Sequence, residues 1–384
     1  MDFDLTKEQV FFRENIRRAL REVLSPHAAA IDKEDRFPRE LFEEIGRLGY
    51  FGIRYPQEVG GMGGDCITFT ILAEEIAKVS MSFAAAATMQ CLMGTDFIHR
   101  FGTKEQKERL LVPAMGGQKI GTIAFTEPDC GSDLGAMRTR AHRDGEGYIL
   151  KGRKLWITSG DVADFVTVAA LAGPSKGLKG LTFFLVEKGT HGFSVGQKIE
   201  KMSARGAPAV ELIFDECRIP KENLLGEEGK GLKYLESFLS EVRIMIAALG
   251  LGLAKSSYDA GLKYARGREA FGRPIANFQL IQDKIAEMET RIRSAWLLTY
   301  YAAWLKDKGL AVKKESAIAK LFSTETACYV VDQAARIHGA YGIAVEYPAE
   351  RYYRDARFLL YAGGTSEVMK TLIAKESTQH KAME

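Results

Sequence analysis

The sequence predicts an α+β multidomain chain: an N-terminal all-α domain, a central antiparallel β-sandwich or barrel domain and a C-terminal four-helix bundle. Three observations predict it. Apolar residues recur at three and four through the first hundred residues, short glycine-punctuated β-rich runs fill the middle, and long helical patterns return after Gly226. The strands are grouped rather than interleaved with helices, so a doubly wound parallel sheet is not expected. The 384 residues exceed one ordinary core of roughly 100–200 residues, and the expected domains are 1–118, 119–225 and 226–384.

From Thr6 to about Phe101 the helical periodicity is carried by EQVFFRENIRRALREVL and FTILAEEIAKVS, with a loop at Gly60, Gly61, Gly63 and Gly64. The strands are read in YILKGRKLWIT, DFVTVAAL, LTFFLVEKG and VELIFDECRIP. Three long helical stretches follow, and helices of that length pack as a bundle. Gly250 and Gly252 resemble a dinucleotide fingerprint, but they lie inside a helical pattern with no preceding strand, so close helix packing is expected of them.

Fifty-three Lys and Arg against 50 Asp and Glu leave a net charge of +3, which gives no reason to expect a nucleic-acid surface. The longest apolar run, Ile244 to Ala254, falls short of the roughly 20 residues a bilayer crossing needs, so no membrane span is expected. The opening MDFDLTKEQV lacks the basic start and apolar stretch of a secretory signal, and a cytoplasmic location is expected. Five scattered cysteines without a CxxC pair predict reduced thiols and no zinc site. The six histidines show no metal-ligand spacing.

Four segments carry the candidate chemistry. Ile123 to Asp133 (IAFTEPDCGSD) is a small, polar loop able to offer N–H groups and hydroxyls to a planar or anionic ligand; a plain connecting turn is the alternative. In KLWITSG, a strand puts Trp156 and Thr158 on one face, an aromatic wall beside a hydroxyl, although a core tryptophan is the commoner case. REAFGRPIANFQ, Arg268 to Gln279, presents arginines at a helix boundary, suited to phosphate or simply solvated. In YAGGTSEVM, paired glycines permit close backbone approach, and Thr365 or Ser366 can cap the next helix.

Together and in this order, these segments resemble the acyl-CoA dehydrogenase family from Leu5 to Glu376. The resemblance implies an FAD flavoprotein, usually a homotetramer and a dimer at minimum, that oxidises acyl-CoA and passes electrons to an electron-transfer flavoprotein. It implies that Ile123, Phe125, Thr126, Ser132, Trp156 and Thr158 flank the flavin, that Arg268, Phe271 and Gln279 reach FAD across a subunit interface, and that Arg336, Gly339, Thr365 and Glu367 hold its remainder. Ser132, Ser240, Arg243 and Gly364 would face the substrate.

The family reaction removes an α-proton with a carboxylate while the β-hydrogen leaves as hydride. Many relatives carry that glutamate where this chain has Gly363, which keeps an N–H but no carboxylate. Other relatives place the base immediately before the arginine matched by Arg243; here that residue is Val242, with Glu241 one position earlier and about 100° around the helix. Relatives acting on alicyclic esters such as cyclohex-1-ene-1-carboxyl-CoA use an N-terminal aspartate, matched here by Cys91, with Asp96 a turn further on. Glu241 and Cys91 are therefore the candidate bases, and a branched or alicyclic acyl-CoA is the expected substrate. Met93, Phe97, Met245 and Tyr361 are the expected apolar lining. An oxygen-reactive flavin oxidase or monooxygenase of the same fold, or a base-deficient flavin- and CoA-binding protein, is the alternative.

Overall fold

The computed structural model describes residues 4–173 and 177–379. The N-terminal helices are α1 (Lys7–Ala19), α2 (Ala28–Glu34), α3 (Arg39–Arg47), α4 (Cys66–Val79), α5 (Met81–Thr88), α6 (Asp96–Phe101) and the short α7 (Lys104–Gln106) and α8 (Val112–Met115). Their starts are encoded locally: Thr6 and Gln9 form a reciprocal capping box, and Asp65 and Ser80 accept N–H bonds at the starts of α4 and α5.

Strands β1 (Gly121–Ala124), β2 (Arg140–Asp144), β3 (Gly147–Thr158), β4 (Phe165–Ala172), β5 (Leu181–Glu187), β6 (Phe193–Lys198), β7 (Ala209–Ile219) and β8 (Leu224–Leu225) make one eight-stranded sheet. Most pairings are antiparallel, as the sequence implies, but β1 and β2 both join β4 in parallel. β4 is buried along its whole length because it serves two cores. Phe165, Ala169 and Leu171 face the helices, while Val166, Val168 and Ala170 close the interior of the sheet domain.

The C-terminal part holds α9 (Gly231–Gly267), a hairpin of β9 (Glu269–Ala270) and β10 (Arg273–Pro274), then α10 (Gln279–Asp307), α11 (Lys313–His338), α12 (Pro348–Tyr361) and α13 (Ser366–Gln379). Helices α9 to α12 form the expected bundle, and α13 lies on α11. By length and composition α9 is apolar enough to cross a bilayer, yet its most apolar window is 83% buried within the protein. Gly250 and Gly252 have the packing role expected. A Cβ on Gly252 would stand 2.3 Å from the Glu74 carbonyl oxygen of α4, and one on Gly250 would stand 3.1 Å from that of Ser323 on α11.

Candidate active site

Two of the four segments meet at the edge of the sheet. The Leu155 N–H donates to the Thr126 carbonyl at 2.8 Å, which ties the loop after β1 to the end of β3. Phe125 and Thr126 are half-buried there, Ile123 is buried and Ser132 is exposed. Simple strand alternation does not explain Trp156. A register shift between Lys154 and Ile157 forms a bulge, Trp156 takes a left-handed φ of 63°, and its ring is 55% exposed. Thr158 is half-buried two residues on.

An aromatic chain connects this edge to α9. Phe125 meets Phe183 edge-on at 5.4 Å, Phe183 lies 4.8 Å from Phe97, and Phe97 lies 4.7 Å from Phe238 on α9. Phe97 and Met245 are core residues, whereas Tyr361 is 69% exposed. One turn beyond Phe238, Val242 and Ile246 face Gly363: a Cβ there would lie 3.4 and 3.2 Å from their side chains. Gly363 and Gly364 have φ of 66° and 106°, and among the described residues their N–H groups donate to no acceptor. Thr365 caps α13 by accepting from the Val368 N–H at 3.2 Å, and Glu367 is exposed on its first turn.

The two candidate bases are occupied otherwise. Glu241 is buried among Arg54, Arg100 (2.6 Å) and Lys306 (3.1 Å), while Asp96 pairs with the same two arginines at 2.6 Å each. Burial alone would raise the Glu241 pKa, but the three cations outweigh it and hold the carboxyl at about 2. So weak a base, turned to the N-terminal helices rather than toward Gly363, argues against the role expected of it. Asp96 is 1% exposed and serves as a pairing acid. Cys91 is fully buried, and burial pushes its thiol up to about 12, so it is a neutral core side chain rather than a base.

What the same neighbourhood offers is positive charge. Arg243, beside Val242 on α9, is 8% exposed and makes no hydrogen bond or ion pair among the described residues; its Nε is completely buried and burial lowers its pKa. Lys320 on α11 is fully buried, and its Nζ donates to the Leu360 carbonyl at 3.2 Å, three residues before Gly363. Burial brings its pKa down to about 8 despite Glu325 and Glu367 nearby. Ser240 is half-buried on the preceding turn. Sequence reading missed Lys320, whose only signal is a lysine on a helix of small and apolar residues.

The remaining segment, Arg268 to Gln279, lies at the far end of α9, together with Arg336 and Gly339. Arg268 and Gly339 line a cleft of about 280 Å³ with Tyr264, His338 and Tyr341. The β9–β10 hairpin carries Phe271 at its tip, 95% exposed with φ 50°, and Gln279 is exposed at the start of α10. Arg336 is exposed and pairs with Asp332 at 2.7 Å rather than pointing free. From Val242 to Arg268 is roughly 39 Å of helix.

These features suit a planar ring with a nucleotide tail held at two ends of the protein. The exposed Trp156 beside Thr126 and Thr158 fits a planar ring, and the arginine-bearing cleft, with the Tyr264 and His338 rings tilted against each other at 4.4 Å, fits a nucleotide tail. Models of the acyl-CoA dehydrogenase N-terminal, middle and C-terminal domains match residues 6–118, 122–217 and 229–378, and the chain belongs to the acyl-CoA dehydrogenase family. It is 48% identical, over 98% of its length and 99% of the relative's, to benzylmalonyl-CoA dehydrogenase of Aromatoleum aromaticum. Among solved structures it superimposes on butyryl-CoA dehydrogenase from Megasphaera elsdenii with TM-score 0.95, 35% identity and coverage of 98% and 100%. A chain in the structure of the electron transferring flavoprotein of Acidaminococcus fermentans matches with TM-score 0.96, 38% identity and coverage of 99% and 100%. The protein is therefore an FAD-dependent oxidoreductase acting on CH–CH bonds of acyl-CoA.

Proposed function

We propose that this chain oxidises a CoA thioester whose acyl group bears a second carboxylate on its α-carbon, and that loss of this carboxylate as CO2 replaces proton abstraction by an enzyme base. One observation carries the reading: beside a Gly363 whose would-be side chain meets only aliphatic neighbours, the charged group at hand is a buried, unpartnered Arg243. A buried cation without a partner costs free energy that an incoming anion offsets. The name of the benzylmalonyl-CoA relative describes an aryl-substituted acyl group of this type.

The chemistry balances without an enzyme base. The bond from the α-carbon to its carboxylate breaks, the electron pair stays on the α-carbon conjugated with the thioester carbonyl, and CO2 leaves. That pair forms the new double bond as the β-hydrogen departs with its own electrons. FAD, when bound, supplies the hydride acceptor. The free N–H groups of Gly363 and Gly364 stabilise the developing charge on the thioester oxygen. Arg243 recruits and orients the carboxylate, and the buried Lys320 adds positive potential from behind the loop. Phe97, Phe183 and Phe238 keep this end of α9 dry, which favours expulsion of neutral CO2.

The alicyclic alternative loses its support, because it needs an acid from the N-terminal helices and the candidates there are a neutral Cys91 and an ion-paired Asp96. Electron-transfer flavoprotein is the proposed acceptor. A shared FAD site is also part of the reading, since the Arg268 end of α9 lies further from Val242 than one dinucleotide reaches, so facing protomers would supply the two ends.

Anaerobic mixing with paired esters tests the proposal. Benzylmalonyl-CoA should bleach the bound flavin, whereas 3-phenylpropanoyl-CoA, identical but for the α-carboxylate, should leave it yellow. Equal bleaching by both would overturn the reading. Rapid reoxidation by air without electron-transfer flavoprotein would move the chain to the oxygen-reactive oxidases instead.

A further inference from the structure

Behind the flavin-facing edge lies a buried ion pair that the reaction scheme does not use. Lys154 on β3 is fully buried and Glu127, in the loop after β1, is 5% exposed. Lys154 Nζ donates to Glu127 Oε1 at 2.8 Å and to the Phe125 carbonyl at 3.0 Å. Glu127 Oε2 accepts from the Arg138 N–H at 2.6 Å, and Oε1 also accepts from the Thr139 N–H at 3.0 Å. The Glu127 backbone exchanges N–H bonds with Cys130 at 2.9 and 3.1 Å, closing the small turn that leads to Ser132. One side-chain pair thus gathers the Phe125–Thr126 peptide, the turn to Ser132, the start of β2 and the bulge that aims Trp156.

We propose that Glu127 and Lys154 are positioning residues that hold Phe125–Thr126 and Trp156–Thr158 at a fixed separation, so that the two walls of the flavin site form as one rigid unit. Lys154 is fully buried and Glu127 nearly so, and both act through the backbone they hold. The connectivity favours this over a merely structural charge pair. Both hydrogen bonds of the Lys154 ammonium end on the 125–127 loop, and Leu155, its neighbour, donates to Thr126. The bulge follows directly, since the register shift begins at Lys154. Salt-bridged burial keeps Glu127 charged, with its pKa lowered because Lys154 outweighs the effect of burial.

The test separates positioning from folding with two variants of the full-length, FAD-loaded protein. Lys154→Met alone leaves a buried carboxylate unpaired and is expected to lower thermal stability. Lys154→Met with Glu127→Gln removes the stranded charge and keeps one acceptor oxygen for the Arg138 or the Thr139 N–H, so thermal stability should recover in part. A positioning role predicts that the double variant still binds FAD at least about tenfold more weakly, shows a shifted visible flavin spectrum, and loses kcat/KM by about 100-fold. Native FAD affinity with an unshifted spectrum in the stable double variant would overturn the proposal. So would a double variant that remains as unstable as the single one, because the pair would then serve the fold alone.

Discussion

At the scale of single residues, the account turns on Gly363 and Arg243. Gly363 faces Val242 and Ile246 with φ 66°, and itself brings no carboxylate. A protein without a base does not exchange the α-hydrogens of a simple acyl-CoA with solvent. Incubation with 3-phenylpropanoyl-CoA in deuterium oxide should therefore show no α-deuteration by mass spectrometry, and Gly363→Glu should introduce it despite strain at a left-handed position. Deuteration by the native protein would reveal a base elsewhere. Arg243→Gln removes the charge while keeping length and polarity. It should raise KM for the carboxylated ester by about 10–100-fold, as loss of a charge-assisted contact implies, with little change in FAD binding. An unchanged KM would take Arg243 out of the substrate site.

At the scale of elements, α9 is the organising piece, and Glu241 shows why its sequence alone misleads. Helical periodicity puts Glu241 at the edge of an apolar face, where it reads as a reachable acid. The fold brings Arg54 from the loop before α4, Asp96 and Arg100 from α6, and Lys306 from α10 to that edge, and no local pattern announces such a meeting. The cluster pins α9 to the N-terminal helices with Val242 and Ile246 turned to Gly363. Arg54→Met takes one cation from two buried carboxylates that keep Arg100, and should cost about 1.5–3 kcal/mol of stability in denaturant melts; a change below about 0.5 kcal/mol would show the cluster to be incidental. Lys154 carried a legible signal that went unread. The period of two set by buried Tyr148 and Leu150 carries it inward, and a lysine on an inward position announces a buried partner. The Trp156 bulge carried no such signal, because a left-handed tryptophan contradicts the strand propensity around it.

At the scale of the whole molecule, the helical, β and helical order was readable because periodicity changes from 3.6 to 2 and back along the chain. The two parallel pairings of β4 were not, since sequence order does not fix which strands become neighbours. A contact between the sheet domain and the bundle also carries a pH signature. Asp355 on α12 accepts the Ala204 N–H at 2.8 Å, and burial raises its pKa from 3.8 to about 7. A carboxyl with a raised folded-state pKa contributes stability fully below 3.8 and loses it as pH rises through 7. The melting temperature of the native protein should accordingly fall relative to Asp355→Asn between about pH 4 and 7. Parallel curves would show that Asp355 is not buried as a neutral acid.

The central claim is that CO2 departure stands in for a missing base. It is tested by anaerobic single turnover of the FAD-loaded protein with benzylmalonyl-CoA labelled in the free carboxylate, counting CO2 released against flavin reduced. The account predicts one CO2 per reduced flavin and cinnamoyl-CoA as the product; reduced flavin with the label retained in the thioester would contradict it.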